Sequence, residues 1–296
     1  MGVKQALSSI PNVEILFEEP MSKHTTYRLG GKASYFIKPF SVKALKDTVR
    51  ILCEYSIPYF VIGNGSNLLV SDKGFCGAVI SSEKLNGYIF NDNFVTATCG
   101  ANLNSVIISA KERGLTGLEN LYGIPSLIGG AVYMNAGAFS SQICDNLKVV
   151  CTLSNGKLKY YDKEDCKFSY RSSIFQKNGE IILSASFTLQ SSPKNEISNR
   201  IKEIINERKR LPVGKTCGCV FRNPKGLSAG KLIDGLGLKG FSSGGAYISQ
   251  EHANFIVAKK GAKAKDVYNL INYVKKKVKE AYSVNLIEEV KLIGEF

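Results

Sequence analysis

Residues 58–70 read Pro-Tyr-Phe-Val-Ile-Gly-Asn-Gly-Ser-Asn-Leu-Leu-Val. A β-prone apolar run meets Gly63, Asn64, Gly65, Ser66 and Asn67, then turns apolar again. Glycine lets the backbone reach positive φ and lets a ligand come close. Asn and Ser add short polar groups beside free backbone N–H donors, a composition suited to cradling an anion such as phosphate. The same letters also spell a tight hairpin, because Asn-Gly is a strong two-residue turn. A second unusual stretch, 117–139, carries Gly123, Gly129, Gly130 and Gly137 in an apolar segment with almost no charge. A surface loop would be more polar, and a core helix would hold fewer glycines. The reading is buried backbone held against a large, partly apolar ligand; the alternative is glycine that only permits tight packing.

Other chemistry-bearing residues are sparse. Cys53, Cys76, Cys99, Cys144, Cys151, Cys166, Cys217 and Cys219 are scattered along the chain. A chain of this length without a secretion signal is poor ground for a disulfide framework. Cys217 and Cys219 form a CxC with no matching pair, and His24 and His252 are the only histidines. No metal site is expected, and most of the thiols read as small core residues.

Composition bounds the partners. The 296 residues suffice for two or three domains, and 44% hydrophobic with 22% charged residues describes an ordinary globular protein. No apolar run approaches the roughly 20 residues a membrane helix needs. Residues 1–20 show no signal-peptide core, and Ala6 stands where a myristoylation motif wants Ser or Thr. The expectation is a cytoplasmic protein that does not engage a membrane. The net charge of +14 fits a lysine-rich solvated surface, or a field that draws a highly anionic small substrate. Nucleic acid is not expected, since no recognition signature appears.

These residues need elements to position them. Lys32–Phe40 reads as a strand. Ser41 caps a helix through Tyr55, with Val42, Leu45, Val49, Leu52 and Cys53 on one face. Pro58–Ile62 is a short buried strand entering the glycine loop, and Gly77–Ile80 and Tyr88–Thr98 are further strands. A helix over Leu103–Arg113 closes at Gly114. Strands resume over Leu147–Tyr161 and Glu180–Leu189, with Tyr170-Arg-Ser-Ser173 between them. Ser191–Glu196 is a plausible boundary before a helix over Ile197–Arg210 that ends at Leu211-Pro212. A glycine-rich region, Cys217–Gly245, follows. The helix Lys265–Tyr282 buries Val267, Leu270, Ile271, Val274 and Val278 and turns Lys275, Lys276, Lys277 and Lys279 to solvent. Leu286–Ile293 is a final strand carrying Glu289.

Eight motifs in order carry a family resemblance. They are Thr26-Tyr-Arg-Leu-Gly-Gly31, Val61-Ile-Gly-Asn-Gly-Ser-Asn-Leu-Leu69, Gly123-Ile-Pro with Gly129-Gly-Ala and Asn135-Ala-Gly-Ala138, Tyr170-Arg-Ser-Ser173, Gly218-Cys-Val-Phe-Arg-Asn-Pro224, Ala229-Gly-Lys-Leu-Ile233, Glu251-His-Ala-Asn-Phe255 and Glu289-Val-Lys-Leu-Ile-Gly294. Together they resemble the UDP-N-acetylenolpyruvoylglucosamine reductase (MurB) family over nearly the whole chain. The short length resembles type II members, which lack an inserted substrate-covering loop. The resemblance implies an α+β fold. A two-subdomain FAD-binding region of the PCMH/VAO kind (1–80 and 81–195) precedes a C-terminal α+β substrate domain (196–296). It implies non-covalent FAD, NADPH as co-substrate, a UDP-sugar enolpyruvyl ether as substrate, and a monomer.

The implied chemistry makes demands that the residues meet. Hydride addition to an enol ether beside a carboxylate builds charge on that carboxylate and leaves a carbon to be protonated. Arg171 is always cationic and can grip a carboxylate with paired donors; by itself it reads first as a surface strand arginine. By resemblance, Arg171 and Glu289 bind and polarise the carboxylate. Cys219 stands where many members place a proton-donating Ser; alone it reads as a buried spectator. Arg210, Asn223 and His252 match substrate-side positions. Tyr27, Arg28, Gly63, Asn64, Gly65, Ser66, Asn67, Gly123, Ile124, Pro125, Ser126, Gly129, Gly130 and Ala131 match FAD neighbours. Ser126-Leu127 departs from the small pair usual after Ile-Pro. The competing readings are a hydroxy-acid or sugar oxidase on the same FAD fold and, from charge alone, a basic nucleic-acid-binding protein.

Overall fold

The computed structural model describes residues 2–296. Along the chain lie α1 (Val3–Ser8), β1 (Val13–Pro20), β2 (Lys32–Pro39), α2 (Val42–Glu54), β3 (Tyr59–Ile62), β4 (Leu68–Val70) and β5 (Phe75–Ser81). Next come β6 (Tyr88–Asn91), β7 (Phe94–Thr98), α3 (Leu103–Glu112), α4 (Ile128–Met134), β8 (Leu147–Ser154), β9 (Lys157–Asp162), α5 (Phe175–Asn178) and β10 (Ile181–Thr188). The C-terminal part holds α6 (Lys194–Arg208), α7 (Ala229–Gly235), β11 (Ala246–Ile248), β12 (Ile256–Ala258), α8 (Ala264–Tyr282) and β13 (Lys291–Ile293). The chain forms two compact units. The first comprises the residues up to Leu16, Tyr35–Asn64 and Gly77–Arg208; the second comprises Phe17–Ser34, Gly65–Cys76 and Lys209–Phe296.

A four-stranded sheet has the order β1-β2-β5-β3, and a five-stranded sheet the order β9-β8-β10-β7-β6. In the first unit the two strands β3 and β5 run parallel, with Tyr59 opposite Ala78. The five-stranded sheet is antiparallel throughout. Its hairpin between β8 and β9 turns on Asn155-Gly156, both at positive φ, as a primed two-residue turn requires. Tyr88–Thr98, read as one strand, is a hairpin of β6 and β7 that turns at Asp92, also at positive φ. Ser41 caps α2 by accepting from the Ala44 amide at 3.1 Å. The buried face of α2 is Ala44, Leu45, Thr48, Ile51 and Leu52. The expected face is therefore rotated: Val42 and Cys53 are exposed, and Thr48 faces inward because its hydroxyl donates to the Ala44 carbonyl.

In the second unit, α8 buries Val267, Leu270, Ile271, Val274 and Val278 against Ile233, Ile248 and Ile256, as its periodicity predicts. Its first turn is capped from afar: the Asp72 carboxylate accepts from the Ala264 and Lys265 amides, each at 2.9 Å. β4 and β13 pair in parallel, Leu68 opposite Lys291. Only Lys291–Ile293 of the expected last strand is ladder; residues 286–290 are irregular, so Glu289 sits in a bend before β13.

Candidate active site

The glycine loop is not a hairpin. β3 pairs with β5 and β4 with β13, so the two strands flanking Gly63–Asn67 never pair with each other. The loop leaves the first unit at Asn64 and enters the second at Gly65.

In the first unit, Asn64 donates from Nδ2 to the Pro125 carbonyl at 3.1 Å, joining the loop to the Gly123-Ile-Pro turn. Asn104, on α3, holds that turn from both sides. Its Oδ1 accepts from the Gly123 amide at 2.6 Å and its Nδ2 donates to the Ile124 carbonyl at 3.2 Å. Gly123 has φ +83°, and a Cβ there would lie 2.6 Å from Cδ of Arg208. The arginine therefore lies across bare glycine backbone. Its Nε is buried without a hydrogen-bond partner among the described residues, and its guanidinium stands 5.6 Å from the Phe139 ring centre. Burial lowers the pKa of that guanidinium from its ordinary value. The sequence reading passed over Arg208 in favour of Arg210, which is exposed beyond the end of α6.

Gly129, Gly130 and Ala131 lie in α4, where no helix was expected. Gly129 is required there by closeness: its amide donates to the Cys99 carbonyl at 2.9 Å, and a Cβ would stand 2.8 Å from Cys99 Cβ. Ser126 is buried, and its hydroxyl donates to the Leu127 carbonyl at 2.9 Å.

Arg171 is a turn residue and not a strand residue. Ser169 and Ser172 exchange backbone hydrogen bonds around Tyr170 and Arg171, and Arg171 has φ +55°. The turn is sewn to the end of α4. Ser173 Oγ donates to the Tyr133 carbonyl at 2.7 Å, Asn135 Nδ2 to the Ser169 carbonyl at 2.9 Å, and Arg171 Nη2 to the Gly137 carbonyl at 2.7 Å. One guanidinium nitrogen is thus anchored, which fixes the direction of the charge.

In the second unit, Gly65 has φ +61°, and a Cβ would collide with the His24 carbonyl oxygen. Arg28 is exposed with φ +55° and donates to the Lys23 carbonyl at 3.3 Å. Tyr27 is fully buried, its hydroxyl against Cys217 and Thr216. Asn67 ties the loop to the C-terminal segment: its Nδ2 donates to the Glu289 carbonyl and its carbonyl accepts from the Lys291 amide, both at 3.0 Å.

Glu289 and Cys219 are brought together by Val220. The Glu289 amide donates to the Val220 carbonyl at 2.8 Å, and Cys219 immediately precedes Val220. Asn254 secures the same segment. Its carbonyl accepts from the Val220 amide, and its side chain exchanges two bonds with Phe221 at 2.9 and 2.8 Å. Cys217 is buried and its thiol is pushed up to about 12, chiefly by burial. Cys219 is half-buried. Of the eight thiols, Cys99, Cys144, Cys166 and Cys217 are buried, Cys151 and Cys219 half-buried, and Cys53 and Cys76 exposed. His252 accepts at Nδ1 from the Asn254 amide at 3.2 Å and packs on Phe255 and Gly230. Burial lowers its pKa, so the ring is neutral at pH 7 with its proton on Nε2. Asn223 accepts at Oδ1 from the Ala229 amide at 3.0 Å, bracing the start of α7.

Comparison with known proteins bears on both units. Residues 33–159 match the FAD binding domain, and residues 209–293 match the C-terminal domain of UDP-N-acetylenolpyruvoylglucosamine reductase. The UDP-N-acetylenolpyruvoylglucosamine reductase of Clostridium perfringens (strain SM101 / Type A) is 41% identical over 284 residues, 95% of this chain and 93% of that protein. The chain belongs to the UDP-N-acetylenolpyruvoylglucosamine reductase family. The crystal structure of the Thermus caldophilus reductase (MurB) agrees, with TM-score 0.79 and 36% identity over 95% of this chain and 99% of that one. Physcomitrella patens BBE-like 1 shares the fold over 64% of this chain and 45% of its own, at TM-score 0.51 and 16% identity. The family is one of FAD-dependent oxidoreductases, so the expected α+β fold with its PCMH/VAO-like FAD-binding part stands.

The residues present fit FAD. The buried Arg208 guanidinium on the Gly123 backbone has a nitrogen without a partner among the described residues, a donor suited to an anionic group of the cofactor.

Proposed function

We propose that the chain reduces the enolpyruvyl ether of UDP-N-acetylglucosamine to UDP-N-acetylmuramate, with FAD as resident non-covalent cofactor and NADPH as reductant. The observation that carries this reading is the junction at Val220 and Asn67: one short stretch of backbone fixes a thiol, a carboxylate and the end of the glycine loop. FAD, when bound, supplies hydride transfer between NADPH and the vinyl CH2 carbon. The chain's own residues supply the rest. Arg171, with one nitrogen anchored on Gly137, directs its cationic guanidinium at the substrate carboxylate. Glu289 polarises that carboxylate, and Cys219 hands a proton to the carbon that bears it. Gly63, Asn64, Gly65, Ser66 and Asn67 hold the phosphates of FAD. Tyr27, Arg28, Gly123, Ile124, Pro125, Ser126, Gly129, Gly130 and Ala131 line the cofactor. Arg210, Asn223 and His252 serve the substrate side, His252 as a neutral imidazole. The parts 1–80, 81–195 and 196–296 divide as two cofactor-binding regions and one substrate region. The enzyme works as a cytoplasmic monomer without nucleic acid; no helix among the described residues is long and apolar enough to cross a membrane.

The test is an anaerobic spectrum of the purified protein. NADPH should bleach a bound flavin, and the enolpyruvyl sugar nucleotide should restore its colour while sugars and hydroxy acids leave the spectrum alone. A protein that binds no flavin even with added FAD, or whose flavin is reduced by sugars or hydroxy acids, would overturn the reading.

A further inference from the structure

Two cations in the second unit, Arg222 and Lys291, lie within electrostatic reach of each other and of the segment that ends the glycine loop. Arg222 continues the Cys219–Phe221 segment, and its amide donates to the Ile287 carbonyl at 2.9 Å. Lys291 opens β13, opposite Leu68 in the parallel pair. Both are half-buried, and the Arg222 Nε is buried without a hydrogen-bond partner among the described residues. Burial and the nearby Arg222 charge together pull the Lys291 ammonium below its ordinary value. Among the described residues, no carboxylate pairs with either of them. Glu288, opposite Phe221, is already engaged by Lys275 at 2.6 Å. Two like charges partly withdrawn from water within reach of each other's field are costly unless an anion joins them.

The place of the pair says which anion. The Lys291 amide donates to the Asn67 carbonyl at 3.0 Å, and Asn67 also grips the backbone at Glu289. Lys291 is thus fastened to the end of the Gly65–Asn67 loop. That loop offers only neutral donors, while the diphosphate of FAD carries two negative charges. Two cations balance them.

Resting on the flavoenzyme reading above, we infer that Arg222 and Lys291 are the cation pair that holds the diphosphate of FAD at the Gly65–Asn67 loop. The ligand group is a dianionic diphosphate, which the substrate also carries, so the experiment must separate the two. FAD release from Arg222→Gln, Lys291→Gln and the double variant is followed by flavin fluorescence on dilution of the holoenzyme. Riboflavin, which has no phosphate, is then titrated into the stripped protein. KM for the sugar nucleotide is measured at saturating FAD. The FAD dissociation constant should rise about tenfold or more for each charge removed, as for charge-assisted hydrogen bonds. Riboflavin affinity and sugar-nucleotide KM should stay within about twofold, and Lys291→Arg should restore FAD binding, which excludes a folding defect. Unchanged FAD affinity in the double variant overturns the inference. So does a rise in sugar-nucleotide KM with FAD affinity intact, which would assign the pair to the substrate's diphosphate. Equal losses of riboflavin and FAD also overturn it, by showing damage to the fold. Wild-type protein that binds FAD but does not reduce the enolpyruvyl sugar defeats the proposed function while leaving this inference standing.

Discussion

At position 219 the proposed proton donor is a thiol, and the surrounding residues decide whether it is suited to the task. Its neighbour Cys217 is sealed in the core and its thiol is held protonated to about pH 12, so Cys217 brings no competing negative charge at neutral pH. Cys219 itself is half-buried and rigidly placed through Val220 and Asn254. If it delivers the proton, Cys219→Ala should lower turnover of the enolpyruvyl sugar by about 10²–10⁴-fold, the usual contribution of a positioned acid. Flavin reduction by NADPH should proceed at the wild-type rate, and Cys219→Ser should retain much of the turnover. Stopped-flow traces of the two half-reactions would separate these effects; full turnover in the alanine variant would remove Cys219 from the mechanism. The buried thiols give a second prediction. Cys99 and Cys217 are both raised to about 12 by burial. Below about pH 8.5 both folded and unfolded thiols are protonated and stability is full. As pH rises toward 12 the unfolded thiols ionise first, so stability falls, by up to about 1.4 kcal/mol per pH unit for each thiol. Urea midpoints in reductant at pH 8, 9 and 10 should fall less steeply in Cys217→Ala than in wild type. Parallel slopes would contradict the assignment. At this scale the sequence named Cys219, Glu289 and Arg171 by motif, and the first two do share a junction. Arg208 escaped notice because its setting depends on the positive φ of Gly123, which leaves no trace in spacing or hydrophobic period.

Elements whose local rules agree with their surroundings were legible: α2 through its Ser41 cap, α3 through the Gly114 that closes it, α8 through its apolar stripe. The element that was missed is α4. Its glycines argue against a helix on propensity, yet the segment is helical because Gly129 must fit against Cys99. Tertiary closeness outweighs about 1 kcal/mol of propensity per glycine. Gly129→Ala should therefore destabilise the protein despite the better helix former, by about 1–3 kcal/mol, as for other overpacked sites. Thermal or urea unfolding would detect this, and a stabilised alanine variant would show that Cys99 yields easily. The Asn-Gly at 64–65 is ambiguous for a similar reason: an identical pair at 155–156 makes a true hairpin, and only long-range strand pairing distinguishes them. The residues before β13 resemble a strand by composition but form only the single bridge of Glu288 with Phe221 over 286–290. The start of α8 makes a further prediction. Both oxygens of Asp72 cap it from 192 and 193 residues away. Asp72→Ala should cost about 0.5–2 kcal/mol, the range for lost N-caps. Asp72→Asn should cost less, because it keeps an acceptor. Equal losses in the two variants would mean that the carboxylate charge, and not the hydrogen bonding, does the stabilising.

For the whole molecule, the parts least visible in sequence are those assembled from distant segments. The second unit gathers Phe17–Ser34 and Gly65–Cys76 with Lys209–Phe296, and its defining contacts, β4 with β13 and Asp72 with α8, have no local period to reveal them. Charge, by contrast, is a global property that the composition gives directly. The net +14 is carried by many surface lysines, among them Lys276 and Lys277, which pair with Glu280 on the helix surface. Exposed pairs of this kind add little stability, so the excess positive charge acts mainly as a field. Both proposed partners, NADPH and the UDP-sugar, are multiply anionic, and a field of this sign speeds their encounter with the enzyme. That effect fades as the screening length shrinks from about 30 Å at 0.01 M salt to about 8 Å at 0.15 M. Across that range kcat/KM for both partners should therefore fall several-fold, by about three- to tenfold, while kcat moves by less than about twofold. Steady-state kinetics in NaCl, repeated in potassium acetate to exclude an ion-specific effect, would test this. A kcat that fell in step with kcat/KM would mean that salt acts on the bound complex, and the positive surface would then have to be explained by something other than substrate capture.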